Sequence, residues 1–369
     1  MQLKVKQVEL VHVRIPLHEP FRISTAEVSV KDAIVLRVET SVGVGWGEAS
    51  PMAGDFYVAE TPESSWEALT TSLIPALQRH GAVTCEQVAD ALEPMSDQAF
   101  ARAGLESALW HAAAAARGKP LWALLGGRNR PIASGVAVGI TDTIDELVDK
   151  VDGYVGEGYR RVKIKIKPGW DVEPVAALRE RFADVPLMVD ANAAYTLDQA
   201  DVFEALDRYD LMMFEQPLAG DALDDLAALQ QRVTTPICLD ESAETLEAVQ
   251  RIISKGSGRI INIKIQRVGG LQRARQMHDL AASANLPCWL GTMPELGIAS
   301  AQGLHLATLD NFAFPTDVES SARWFVDDLL EPPIVIDAAG MLHIPDGPAT
   351  GYRVNPDKIA KYAVKRACV

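Results

Sequence analysis

In Arg161-Val162-Lys163-Ile164-Lys165-Ile166, aliphatic residues alternate with lysines. Successive side chains of a strand point to opposite faces, so Val162, Ile164 and Ile166 share one face and Lys163 and Lys165 the other. If the aliphatic face packs against helices, the lysines point into whatever the strand helps to enclose. Downstream, Leu187–Asp190, Leu211–Glu215, Ile237–Asp240 and Ile260–Ile265 are further short apolar runs, each with a charged residue at or near its end. A turn signal and an amphipathic helical pattern follow each of them. Lys165, Asp190, Glu215, Asp240 and Lys264 succeed one another at intervals of 25, 25, 25 and 24 residues. One βα unit of a barrel takes about that length, since roughly 250 residues make eight of them. With Ile132–Ile140 upstream and Cys288–Leu290 downstream, the pattern predicts an α/β fold, a TIM-type barrel, with the five charged side chains around one mouth. A doubly wound open sheet is the alternative. The chain has no Gly-x-Gly-x-x-Gly after an early strand and no Walker loop, which argues against nucleotide binding.

The first third reads differently. Residues 3–15 and 31–38 alternate as strands, with Pro20–Thr25 as a turn-rich connection. Gly43, Gly45, Gly47 and Gly54, around Trp46, read as turn sites. From about residue 61 to 126 the pattern is helical, and Ala101–Ala116 is a strong helix whose apolar face suits packing better than a subunit contact. Strands followed by a run of helices predict an α+β unit.

Composition narrows the function classes. The 35 Lys and Arg against 50 Asp and Glu leave a formal charge of −15, which argues against nucleic acid as a partner. No apolar run reaches the roughly 18–20 residues that span a bilayer. The opening residues enter a strand pattern with no signal-peptide features, so the expected location is cytoplasmic. Cys85, Cys238, Cys288 and Cys368 form no Cys-x-x-Cys pair and are expected to be small buried hydrophobes.

Asp190, Glu215 and Asp240 converging on one mouth would repel one another in low dielectric. A hard divalent cation relieves that conflict. Mg²⁺ prefers oxygen ligands in octahedral geometry and keeps positions for water or substrate. Lys165 and Lys264, desolvated on the same rim, are expected to have lowered pKa values and to act as bases near neutral pH. Lys167 precedes Pro168-Gly169 and is expected to be a solvated strand end.

These residues together resemble the enolase superfamily, and within it the muconate-lactonizing-enzyme subgroup. The likeness rests on Lys163-Ile164-Lys165, Asp190-Ala191-Asn192, Glu215-Gln216-Pro217 and Asp240-Glu241-Ser242. Gly45-Trp46-Gly47-Glu48, Pro51-Met52-Ala53-Gly54 and Asn262-Ile263-Lys264 before Arg267-Val268-Gly269-Gly270 bring it nearest to o-succinylbenzoate synthases and N-acylamino acid racemases. The resemblance implies a (β/α)₇β barrel over residues 131–339 and an α+β capping domain from residues 1–130 with the tail 340–369. It implies removal of the proton next to a carboxylate through an enediolate, a role for the metal and a Lys base that is a documented pattern for this superfamily. Asp190, Glu215 and Asp240 would bind Mg²⁺, with Mn²⁺ or another divalent cation as substitutes. Lys165 and Lys264 would be the acid–base pair. Lys163 would hold the substrate carboxylate and lower the pKa of Lys165. Asn192, Thr292, Met293, Phe21 and Ser24 would contact a small-molecule carboxylate substrate, with Phe21–Ser24 and Pro51–Tyr57 as covering segments. A homo-oligomer is the family expectation.

The chain departs from the family at Thr292, Pro294 and Leu296, at Ile265-Gln266 where related racemases often carry Pro-Gly, and at Ala137 where some have serine. None of these is a metal ligand or a lysine, and all lie near the expected acyl group. Dipeptide epimerases and muconate-type cycloisomerases share the main motifs and are the alternative activities. A Schiff-base barrel accounts for one lysine but not for three spaced carboxylates. A non-catalytic scaffold leaves the five spaced residues unexplained.

Overall fold

The structure is a computed structural model that describes residues 1–22, 27–54, 58–92 and 97–369. Leu3–Arg22, Glu27–Thr40 and Gly43–Ala49 pair antiparallel in sequence order, and Ala363–Cys368 returns from the far end of the chain to pair with the first of them. Two expectations are corrected here. Pro20 to Arg22 continue the first strand, because Phe21 and Arg22 pair with Val28 and Glu27. Gly43, Gly45 and Gly47 lie in a strand, not in turns. The physical reason is the helix Ala99–Ala116, which lies across that strand: a Cβ at Gly45 would fall on the Ala108 carbonyl, and one at Gly47 on that of Gly104. Most of this helix is buried, from Phe100 to Ala114, which makes it a packing element. Its first turn is closed by Glu60, whose carboxylate accepts from Phe100 N at 2.8 Å and Ala101 N at 2.9 Å.

The second sheet is parallel throughout. Among the described residues its order is Val136–Val138, Val162–Lys165, Leu187–Asp190, Phe214–Glu215, Ile237–Leu239, Ile260–Ile263 and Cys288–Leu290, each strand beside its neighbour in sequence. A doubly wound sheet would reverse direction partway. This one closes instead. Ala313 N donates to Cys288 O at 3.0 Å and Asp317 N to Leu290 O at 3.1 Å on one edge. Thr316 N donates to Ala133 O at 2.9 Å and Gly135 N to Thr316 O at 2.8 Å on the other. The segment 313–317 is thus the eighth stave of a TIM-type barrel.

Alternation along the staves sorts the side chains. Leu187, Val189, Phe214, Ile237, Leu239, Ile261, Ile263 and Leu290 face outward into the main core. Met188, Met213, Cys238, Ile260 and Trp289 face inward and form a separate buried cluster that plugs the barrel. One step further along the same inner face come Asp190, Glu215, Asp240 and Asn262. The plug shuts out water from below, so the charged ring above it sits in low dielectric. Cys85, Cys238 and Cys288 are buried as expected, whereas Cys368, in the edge strand, is exposed. No helix among the described residues is long and apolar enough to cross a membrane.

Cap and barrel meet through buried carboxylates. Glu48 accepts from Leu296 N at 2.8 Å and Ala299 N at 3.0 Å, and Glu106 from Gln272 N at 3.0 Å. Within the barrel, Glu319 accepts from Ala137 N of the first stave at 2.9 Å. Burial pushes each of the three up to about 7. The folded chain therefore holds protons that the unfolded chain has released, between the ordinary glutamate value of 4.5 and about 7. Stability falls as pH rises through that window. We expect urea unfolding of the metal-free protein to show a loss on the order of a few kcal/mol between pH 5 and pH 8. A flat or rising profile would mean that these carboxyls stay charged throughout.

Candidate active site

The sequence motifs have local structural jobs. After the Leu187–Asp190 stave the backbone turns left-handed at Asn192 (φ 43°) and Ala193 (φ 60°), and after Phe214–Glu215 at Gln216 (φ 37°). Asparagine tolerates that conformation better than most residues. The turn brings the Asn192 side chain back over the mouth, where its Oδ1 accepts from Lys165 Nζ at 2.8 Å. Gln216 ties two staves together: its Oε1 accepts from Asp240 N at 2.9 Å and Ser242 N at 3.1 Å. Its Nε2 donates to Ser242 Oγ at 2.8 Å. Glu-Gln-Pro thus fixes the loop that carries Asp-Glu-Ser.

The five charged residues meet in one buried cluster. Lys165 Nζ lies 2.5 Å from Asp190 Oδ2. Lys163 Nζ lies 2.5 Å from Asp317 Oδ2, 3.3 Å from Glu215 Oε2 and 3.7 Å from Asp190 Oδ2. Lys264 Nζ donates to Asp240 Oδ2 at 2.7 Å, and Arg267 pairs with Asp240 Oδ1. Asn262 Nδ2 donates to Glu215 Oε1 at 2.8 Å. Numbered around the barrel, Lys165 is on the second stave and Lys264 on the sixth of eight, so they enter from opposite sides. Asp190, Glu215 and Asp240 fill the third, fourth and fifth staves between them.

The charges are unevenly matched. Burial opposes ionisation of Asp190, but Lys165 and Lys163 outweigh it and hold the carboxyl below its ordinary value. Asp240 is likewise held low by Arg267 and Lys264 against burial. Glu215 goes the other way: burial, then the Asp190 charge, push it well above the usual range, and Lys163 does not compensate. Its Oε2 has no hydrogen bond. Among the described residues no three acidic, histidine or cysteine side chains stand ready as a metal shell, because each carboxylate is turned to a lysine, an arginine or an asparagine. The donor set is nonetheless all carboxylate oxygen, and Glu215 Oε2 makes no hydrogen bond although Lys163 Nζ lies 3.3 Å away. That set fits a hard divalent cation.

Residues 146–358 match the family model described as enolase C-terminal domain-like, and residues 5–126 match that of the mandelate racemase / muconate lactonizing enzyme N-terminal domain. The chain belongs to the enolase superfamily. It is 41% identical over 367 residues to an o-succinylbenzoate synthase of Geobacillus kaustophilus, covering 98% of this chain and 96% of the relative. It is 42% identical over 356 residues to an N-succinylamino acid racemase of Amycolatopsis, covering 96% of both. A crystal structure of an enolase-superfamily member from Listeria innocua superposes with a TM-score of 0.95 at 31% identity, covering 100% of this chain and 99% of the other. The chain is therefore an enzyme of a superfamily that depends on a divalent metal.

Of the residues read from the sequence, Lys163, Lys165, Asp190, Glu215, Asp240, Lys264 and Asn192 come together. Thr292 and Met293 follow the seventh stave on the same mouth, where Thr292 Oγ1 donates to Asp317 O at 3.3 Å. Phe21 packs edge-on against Trp324, ring centroids 4.8 Å apart, beside Gly139 at the end of the first stave. Ser24 and residues 55–57 lie outside the described residues. Lys167 is exposed at its strand end, as expected. Burial pushes Lys163 down, but Asp317, Glu215 and Asp190 together hold it above lysine's ordinary value. Sequence reading missed Asp317, Arg161, Asn262 and Arg267. Arg161 Nη2 donates to Asp317 Oδ1 at 2.6 Å, which leaves Asp317 as the shared counter-ion of Arg161 and Lys163. Asp317 lies about two further barrel steps beyond Lys264, and that spacing was the available signal.

Proposed function

We propose that this enzyme removes the proton α to a substrate carboxylate, and that it carries both o-succinylbenzoate synthase and N-succinylamino acid racemase activity in one site. The observation that carries the reading is the placement of Lys165 and Lys264 on opposite staves with three carboxylates between them. Asp190, Glu215 and Asp240 would hold a divalent cation, Mg²⁺ by its preference for oxygen. That cation supplies Lewis acidity to the substrate carboxylate and so makes the α-hydrogen acidic. Lys165 Nζ takes the proton from one face, steadied by Asn192. Lys264 Nζ serves the other face, and whichever lysine is not the base stands as a cation beside the enediolate charge. Delivery of a proton from the opposite lysine inverts the centre. In the synthase reaction one lysine removes the proton and assists departure of hydroxide. Lys163, kept charged by Asp317, is a fixed cation for the substrate carboxylate. The names of the relatives at 41% and 42% identity support the succinyl-bearing substrates. The reading keeps a cytoplasmic location and a homo-oligomer as parts of the proposal.

Proton NMR in D₂O with Mg²⁺ tests it, using N-succinylphenylalanine, a dipeptide and the cyclohexadiene precursor of o-succinylbenzoate in parallel. We expect α-hydrogen exchange on N-succinylphenylalanine and turnover of the precursor. Exchange confined to the dipeptide would move the enzyme to an epimerase branch.

A further inference from the structure

Where the cap meets the barrel, a knot of buried polar groups joins four separate pieces of chain. Ser50 is its centre, just after the Gly43–Ala49 strand. Its N–H donates to Gln266 Oε1 at 3.0 Å, its carbonyl accepts from Lys31 Nζ at 3.1 Å, and its hydroxyl donates to the Glu48 carboxylate. Gln266 closes the ring by donating from Nε2 to Glu48 O at 2.9 Å. Lys31 reaches further, to Met293 O at 3.2 Å. Ser50 and Glu48 are 0% exposed, Gln266 1% and Lys31 3%. Buried polar groups are tolerable only when their bonds are made, and bonds made in low dielectric are strongly directional. The knot therefore fixes the positions of its members relative to one another.

Gln266 is the member nearest the chemistry. It lies in the short helix Ile265–Val268, which begins immediately after Lys264, two residues away. Through Gln266 the turn that aims Lys264 is tied to the cap. Lys165 and Lys264 both bond to barrel carboxylates, but the residues after Lys165 bond within the barrel, Ile166 N to Asp190 O at 2.9 Å and Lys167 N to Trp170 O at 3.0 Å. The turns behind the two lysines thus answer to different parts of the protein, that of Lys264 to the cap and that of Lys165 to the barrel.

We propose that Gln266 is a positioning residue that sets Lys264 from the cap through Glu48 and Ser50, so that proton transfer on one face of the substrate depends on this contact and transfer on the other does not. The inference rests on the two-lysine reading above. Its signature is enantiomer selectivity, which a general loss of structure would not produce.

The test uses Gln266→Ala and Gln266→Met with Mg²⁺ in D₂O, following α-proton exchange of each enantiomer of N-succinylphenylalanine beside thermal unfolding. Methionine keeps the length and burial of the side chain without either hydrogen bond, so it answers the question if the alanine variant does not fold. We expect kcat for exchange of one enantiomer to fall roughly 10-fold or more with little change in KM, because small misplacements of a catalytic group have effects of that order. Exchange of the other enantiomer should stay within about 2-fold, and the enantiomer affected should be the one lost in Lys264→Ala. Equal losses for both enantiomers, or no loss for either, would overturn the inference and leave the two-lysine reading standing. Exchange of neither enantiomer by the wild-type enzyme would overturn that reading and this inference together.

Discussion

Lys165→Ala should abolish α-proton exchange from one enantiomer of an N-succinylamino acid, and Lys264→Ala from the other. The expected loss is about 10²–10⁴-fold in each case, the usual contribution of a positioned general base. The argument is geometric. The second and sixth staves of an eight-stave barrel face each other across the mouth, so the two ammonium groups approach a planar enediolate from opposite sides. Removing one base leaves the other able to take and return its own proton. Exchange of the remaining enantiomer should therefore survive, while net racemisation and the synthase reaction both collapse. Removal of Lys165 also takes from Asp190 the partner 2.5 Å away and leaves that buried carboxylate with Lys163 at 3.7 Å in the metal-free protein. The comparison must accordingly be made with excess Mg²⁺. Loss of both enantiomers in one variant and of neither in the other would mean that a single base serves both faces. Reduction with borohydride, which traps a Schiff base, should leave no adduct on either lysine.

The barrel was legible because its staves obey a period that sequence displays. Leu187–Asp190 and Cys288–Leu290 occupy the residues their apolar runs marked out. The eighth stave was not legible, since 312–317 reads Asn-flanked Phe-Ala-Phe-Pro-Thr-Asp and bonds to its neighbours through isolated contacts. Ile132–Ile140 was read as one strand, but it breaks between Ala133 and Val136. The cause lies elsewhere in the chain: the Arg161 guanidinium fills the space beside Gly135, where any side chain would collide with it. The site divides in the same way. Lysines and carboxylates one barrel step apart were visible as spacing. Asp317 owes its role to Arg161 and Lys163, more than 150 residues away, and Gln266 owes its role to Ser50 and Glu48, more than 200 residues away. In sequence Asp317 shows only its barrel-step spacing and Gln266 only a departure from the family's Pro-Gly, and neither names its distant partners.

Glu215→Gln should make the metal-free protein more stable and the metal-loaded enzyme inactive. Glu215 is fully buried between Asp190 and Asp240, with one oxygen lacking a hydrogen bond. Glutamine has nearly the same shape and removes one of three mutually repelling charges. It can also keep the bond that Asn262 Nδ2 now donates to Oε1. Burial and the Asp190 charge outweigh Lys163, 3.3 Å away, so keeping this carboxyl ionised costs the apoprotein free energy that glutamine does not, about 1–4 kcal/mol. The same change removes a ligand charge from the set that fits the cation. Wild-type protein at about 100 times the metal Kd should gain roughly 2.7 kcal/mol from Mg²⁺, a gain that a chelator reverses. Glu215→Gln should show little of that gain and at least about 100-fold less turnover, since the carboxylate polarisation that drives proton removal depends on the ion. Thermal unfolding with and without Mg²⁺, read beside α-proton exchange, separates the two effects. If the variant were less stable than wild type without metal yet still gained from Mg²⁺, Glu215 would be a structural partner of Lys163, and the cation would have to be held by the remaining carboxylates.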